Sequence, residues 1–209
     1  MKFNEMEFDI AREIINIGLG KAADSMSFFT KKKVLIRNVD LQIKNIDSLS
    51  TISKKKKDEE LYVLSTEIKG ELEGICYLLL SETEVYQIMK ASLPPSVMND
   101  SAKYKIMSRE ILLEMDNIIV ASVVTQFSNF FKYKMYGDVP GLTKTNDFNQ
   151  LVQSANLKSD YFLYFRSELN TSEMNINPEF IWLLNDKYCE GVKSVANDSE
   201  ALSKMRMSK

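Results

Sequence analysis

Slid along itself by 101 residues, the chain places Glu13 on Glu114, Asn16 on Asn117 and Ile17 on Ile118. In the same register Ser27 meets Ser128, Phe29 meets Phe130, Lys31 meets Lys132 and Lys33 meets Lys134. Further on, residues 61–68 are similar to 161–169, and residues 74–79 to 180–184 at a shift a few residues larger. Self-similarity at a fixed shift implies two copies of one unit. The expected fold class is α+β, with pseudo-twofold duplicated helix–strand–strand–strand–helix units sharing one β-sheet and two long helices packed on it. Residues 1–197 read as a single domain, with the repeats at about 5–95 and 102–197. The polar, Met- and Lys-bearing stretch 198–209 reads as a disordered tail.

Residues 8–30 carry an apolar helical stripe through Phe8, Ala11, Ile14, Ile15, Ala22 and Met26. Gly18 and Gly20 lie inside it, each weakening an isolated helix by about 1 kcal/mol while allowing another backbone to come close. Residues 34–43 predict a strand, 54–60 a charged loop, and 61–68 and 73–80 two strands joined by a turn near Gly70. Ser81-Glu82-Thr83-Glu84 is a capping box opening a helix that Pro94-Pro95 stops. A second long helix is predicted over 102–133, then a strand or turn over 136–143 and a short helix over 147–155. Strands over 161–169 and 180–184 and a helix over 187–196 follow.

Composition removes several chemistries. The chain has no histidine, which excludes imidazole acid–base catalysis, Ser–His–Asp triads and histidine metal sites. Catalysis must come from carboxylates, amides, hydroxyls, lysines or a group that a partner brings. A formal net charge of −2 provides no basic field for nucleic acid or an anionic membrane. Cys76 and Cys189 stand far apart and read as structural thiols of a reducing compartment. The N-terminus lacks the apolar core of a signal peptide, and no apolar run approaches the roughly 18 residues of a membrane span. A cytoplasmic location is expected.

Glu13 and Asn16 are three positions apart and share one helix face, with Asp9 one turn back. Glu114 and Asn117 repeat the arrangement, with Glu110 one turn back. A single Glu–x–x–Asn on an amphipathic helix is an ordinary solvated pair. Duplication copies a neutral surface as readily as a functional one.

The run Glu13-Ile14-Ile15-Asn16-Ile17-Gly18-Leu19-Gly20-Lys21-Ala22-Ala23 resembles the signature helix of the CheC/CheX/FliY phosphatases of bacterial chemotaxis. That family's pattern is an Asp or Ser, then Glu, then Asn on one helix face, followed by a proline beyond the helix. Asp9, Glu13 and Asn16 fit, with Val39 in the proline position; Glu114, Asn117 and Pro140 fit, with Glu110 in the leading position. Residues 69–81 are similar to the family's middle region.

The resemblance implies hydrolysis of the aspartyl phosphate of a CheY-like response regulator. Asn117 and Asn16 would orient the attacking water, and Glu114 and Glu13 would pair with a partner lysine. Asp9, Glu110 and Pro140 would be docking residues. It implies no cofactor and no metal site in this chain, the Mg²⁺ being supplied by the phosphorylated partner. A non-catalytic adaptor that holds a receiver or a CheD-like deamidase is the alternative. Because the duplication already supplies two sites, a monomer is expected over a homodimer.

Overall fold

The computed structural model describes residues 3–30, 32–49, 60–155 and 159–207; the charged run expected over 54–60 lies, apart from Glu60, outside them. The element order is α1 (Glu5–Thr30), β1 (Leu35–Asn45), a 3-10 turn (Ile46–Ser48), β2 (Leu61–Gly70), β3 (Gly74–Ser81), α2 (Glu82–Ser92) and α3 (Pro95–Met98). The second half supplies α4 (Ser101–Phe131), β4 (Met135–Gly137), β5 (Gly141–Thr145), α5 (Phe148–Ser154), β6 (Tyr161–Asn170), β7 (Asn175–Ile176), β8 (Glu179–Leu184), α6 (Lys187–Ala196) and α7 (Ser199–Met207). The capping box forms as its sequence requires. Ser81 N–H donates to the Glu84 carboxylate at 2.8 Å, and Glu84 N–H donates back to Ser81 Oγ at 3.2 Å.

One antiparallel sheet runs β1-β6-β8-β3-β2-β4, with β5 also on β2 and β7 on β6. The duplication is written into this order. The central pair β3–β8 takes one strand from each half, and each half lends its edge strand to the other: β1 pairs with β6, while β4 and β5 pair with β2. Neither half can complete its ladder alone.

The registers obey the sequence repeat. Lys44 pairs with Phe162 and Leu61 with Thr145, so a shift of 101 carries one pair onto the other. Ile36–Leu169 maps in the same way onto Ile68–Gly137. Between these pairs β1 shows a register break from Arg37 to Asp40, and the second half shows a gap between β4 and β5. Pro140 stands in that gap, where it has no N–H to give to a ladder. Val39 occupies the equivalent irregular stretch of β1. For β3 and β8 the ladders Leu61–Ser81 and Phe162–Leu183 set the shift at 102, one residue larger rather than the several expected.

Alternation sorts the strand residues between two cores. Leu64, Ile68, Cys76, Leu78, Phe165 and Trp182 face the helical layer of α1, α2, α4 and α6. Val63, Tyr77, Leu79, Phe162, Ile181 and Leu183 face the other side, which α5 covers with Phe148 and Val152.

The long helices are antiparallel. Phe3, just before α1, and Phe131, in the last turn of α4, both contact the ring of Tyr188. At the other end Met26 of α1 shares a small cavity with Ile111 and Met115 of α4. They cross at Gly18, where an added Cβ would stand 2.7 Å from Val123 Cα; at Gly20 it would meet nothing within 4 Å. Gly18→Ala should therefore cost about 1–3 kcal/mol by overpacking, while Gly20→Ala should be neutral or gain up to about 1 kcal/mol of helix propensity. Urea midpoints of the two variants give the comparison, and equal shifts would contradict the crossing.

One expectation needs correction. The stretch after Asp198 is not a frayed tail: α7 is ordered from Ser199 to Met207 and buries Ala201 and Met205 in the main core. Asp198 also accepts a 2.9 Å hydrogen bond from Lys132 at the end of α4. Over an 18-residue window α4 is apolar enough to cross a membrane by length and composition, although it holds no uninterrupted apolar run of that length. Here its apolar residues Leu112, Met115, Ile119, Val120, Val123, Val124, Phe127 and Phe131 pack into the core.

Candidate functional site

Most inward positions of the two long helices match at the repeat shift. Ala11, Ile14, Leu19, Ala22, Ala23 and Met26 of α1 are buried, as are Leu112, Met115, Val120, Val123, Val124 and Phe127 of α4. With the apolar faces fixed against the sheet, the polar faces have no choice of direction. Asp9 is exposed and Glu13 and Asn16 are half-buried on α1; Glu110 and Asn117 are exposed and Glu114 is half-buried on α4. Each Glu and Asn pair therefore lies within one turn on an outward stripe, each on its own helix. Pro140, half-buried, sits in the connection that follows α4 and β4. The repeated serines have a structural task at the far ends of these helices. Ser27 Oγ accepts the Val34 N–H at 2.8 Å, and Ser128 Oγ donates to the Tyr133 carbonyl at 2.7 Å, tying each helix to the strand after it.

The copies differ in their surroundings. Arg12 Nη2 donates to Asp9 Oδ1 at 2.9 Å, so the leading acid of the first copy is paired within its own helix. Arg109 stands 4.0 Å from Glu110 in the second. A groove of about 700 Å³ beside the first copy is lined by Asp9, Arg12 and Glu13 of α1 and by Leu202, Met205 and Arg206 of α7. The helix expected as a tail is thus one wall of the groove beside the first copy.

Two features escaped the sequence reading. Met6 and Met107, three residues before Asp9 and Glu110, are 49% and 39% exposed and fall on the same stripes. The repeat shift itself pairs them. The other is Asp116, next to Asn117 but facing inward and 1% exposed. Thr66 Oγ1 on β2, also buried, donates to Asp116 Oδ2 at 2.6 Å. Burial pushes the Asp116 carboxyl up to about 7, with the Thr66 hydrogen bond pulling in the opposite direction. Burial, with a smaller contribution from Asp116, also holds the Cys76 thiol well above its usual value. In the first copy Ile15 takes the place of Asp116. The counterpart of Thr66 is Ser167, buried, with no hydrogen-bond partner for its hydroxyl among the described residues. A carboxylate at an inward helix position was the available signal, and helical phase alone would have found it.

No protein-family model matches the sequence. Among solved structures, FliY of Thermotoga maritima superposes with a TM-score of 0.71 at 17% identity, covering 94% of this chain and 99% of that one. A chain of the Helicobacter pylori FliG–FliM complex gives a TM-score of 0.58 at 10% identity, covering 92% and 100%. A chain of the CheX–CheY–BeF3–Mg²⁺ complex of Borrelia burgdorferi gives 0.50 at 13% identity, covering 81% and 96%. The chain has the CheC/CheX/FliY fold.

Proposed function

We propose that this chain is a phosphatase of a CheY-like receiver domain, acting through Asn117 and Asn16. The observation that carries the reading is the outward Glu–x–x–Asn stripe, present twice in one register on a fold that CheX shares, CheX of Borrelia burgdorferi being a protein crystallised with CheY, BeF3 and Mg²⁺. Hydrolysis of an aspartyl phosphate requires a water in line with the bond between phosphorus and the aspartyl oxygen. The water attacks phosphorus, that bond breaks, and inorganic phosphate and the free carboxylate result. The receiver carries the Mg²⁺ that neutralises the phosphoryl oxygens; this chain needs only to place the water.

A carboxamide suits that task because it donates and accepts hydrogen bonds without changing charge. Positioning supplies most of the catalysis in phosphoryl transfer. Glu114 and Glu13, one turn away on the same face, engage a receiver lysine and set the docking register. Asp9 and Glu110 extend that contact, and Pro140 shapes the connection beside the second copy.

Met107 and Met6 add an apolar contact to each stripe, since an unbranched thioether adapts to a partner surface. Replacing both by lysine should raise KM for phosphorylated receiver about fivefold, the ~1 kcal/mol of one lost apolar contact, with kcat unchanged. A fall in kcat instead would move the methionines out of the docking surface.

The reading is tested by following loss of label from phosphorylated CheY-like receivers with and without the chain. Faster loss with at least one receiver supports it. A second reading, an adaptor that binds without turnover, is favoured by the likeness to a chain of the FliG–FliM complex. Retained binding with unchanged label decay would select the adaptor.

A further inference from the structure

Among the described residues of α1 and α4, Asp116 is the buried position where the two copies differ in polarity. Every other inward position compared above between α1 and α4 is apolar in both halves, and at this one an isoleucine in α1 is replaced by a carboxylate in α4. A carboxyl removed from water with one hydrogen bond is costly, and the core would accept Ile there as it does at Ile15. Its hydrogen-bond partner is informative. Thr66 lies on β2, the strand that also carries β4 and β5, between which Pro140 sits. The Asp116–Thr66 bond therefore fastens α4, at the residue adjoining Asn117, to the strand that holds the rest of the second site. An apolar contact at this point would resist separation but would leave rotation and axial sliding of α4 less defined. A 2.6 Å hydrogen bond sets both. Gly137 of β4 completes the arrangement: an added Cβ there would lie 3.3 Å from Thr66 Cγ2 and 3.4 Å from Val120 Cγ1, so little slack remains around the bond. In the first half Ile15 offers no polar atom, and the Ser167 hydroxyl has no hydrogen-bond partner among the described residues, so no such tether forms between them.

We propose that Asp116 is a positioning residue for the Glu114–Asn117 site, holding α4 to β2 through Thr66, so that the second copy of the site is more sharply defined than the first. The inference rests on the receiver-phosphatase reading above.

The test separates the two sites by background. In the Asn16→Ala background, where the second site acts alone, Asp116→Ile should lower kcat for phosphorylated receiver at least tenfold with KM changed less than twofold. Asp116→Asn, which can still accept from Thr66, should restore most of that rate, and Thr66→Val should reproduce the loss. In the Asn117→Ala background, where the first site acts alone, Asp116→Ile should leave turnover unchanged, which also reports that the chain is folded. Equal losses in both backgrounds would make Asp116 a general stability residue and overturn the proposal, as would a second site indifferent to Asp116→Ile. A wild-type chain that accelerates no receiver would remove the phosphatase reading itself, and this role with it.

Discussion

A chain carrying both Asn16→Ala and Asn117→Ala is expected to dephosphorylate its receiver at least about 10²-fold more slowly than the wild type while still binding it. The size follows from what removal of one well-placed hydrogen-bonding group does to a transition state, about 10²–10³-fold in rate. The single variants should divide the effect unequally. Asn117 is exposed on an open stripe, while Asn16 is half-buried, with Asp9 already paired to Arg12 and α7 lining the neighbouring groove. Asn117→Ala should therefore cost more than Asn16→Ala. Single-turnover rates at saturating chain, with affinity measured separately on a receiver carrying a phosphoryl mimic, distinguish loss of chemistry from loss of docking. Equal turnover in wild type and double variant would remove the asparagines from the mechanism.

The second large effect is on stability and its pH dependence. Asp116 begins from an ordinary value of 3.8 in the unfolded chain and is pushed up to about 7 by burial in the native one. The native state therefore holds this proton where the unfolded chain has released it. Between about pH 4 and pH 7 stability falls as pH rises, and above pH 7 this contribution stays flat. At about 1.4 kcal/mol per pH unit the loss is on the order of 4 kcal/mol. Asp116→Asn keeps a neutral group and an acceptor for Thr66 at every pH. It should be about as stable as wild type near pH 4 and more stable by several kcal/mol at pH 8. Denaturant titrations at the two pH values give the comparison; parallel changes in both proteins would show that another group controls the slope.

Much of the fold could be read from local pattern. The apolar phase of residues 8–30 and 102–133 locates both long helices and, by subtraction, the outward faces that carry Glu13, Asn16, Glu114 and Asn117. The capping box at Ser81 locates the start of α2 because its hydrogen bonds join near neighbours in sequence. The exchange of edge strands was out of reach for the opposite reason: β1 finds its partner β6 some 120 residues away, and nothing within β1 names it. Pro140 and Val39 were legible as equivalent positions, but that both stand at a break in the ladder emerges only from the paired registers. α7 was missed because two buried residues, Ala201 and Met205, are too few for an amphipathic pattern to stand out from its lysines and serines. Asp116 was hidden by its neighbours. Next to Glu114 and Asn117 it reads as one more surface polar residue, and only the helical phase set by Leu112, Met115 and Ile119 turns it inward.

The structure of this chain bound to a BeF3-activated, Mg²⁺-loaded receiver that it dephosphorylates tests the central claim most directly. The account predicts the receiver seated across the α4 stripe or the α1 stripe, with the Asn117 or Asn16 carboxamide within about 3 Å of a water aligned with the phosphoryl mimic and the glutamate one turn back on a receiver lysine. A receiver seated on the sheet edge or on α5, with both asparagines left in solvent, would contradict it.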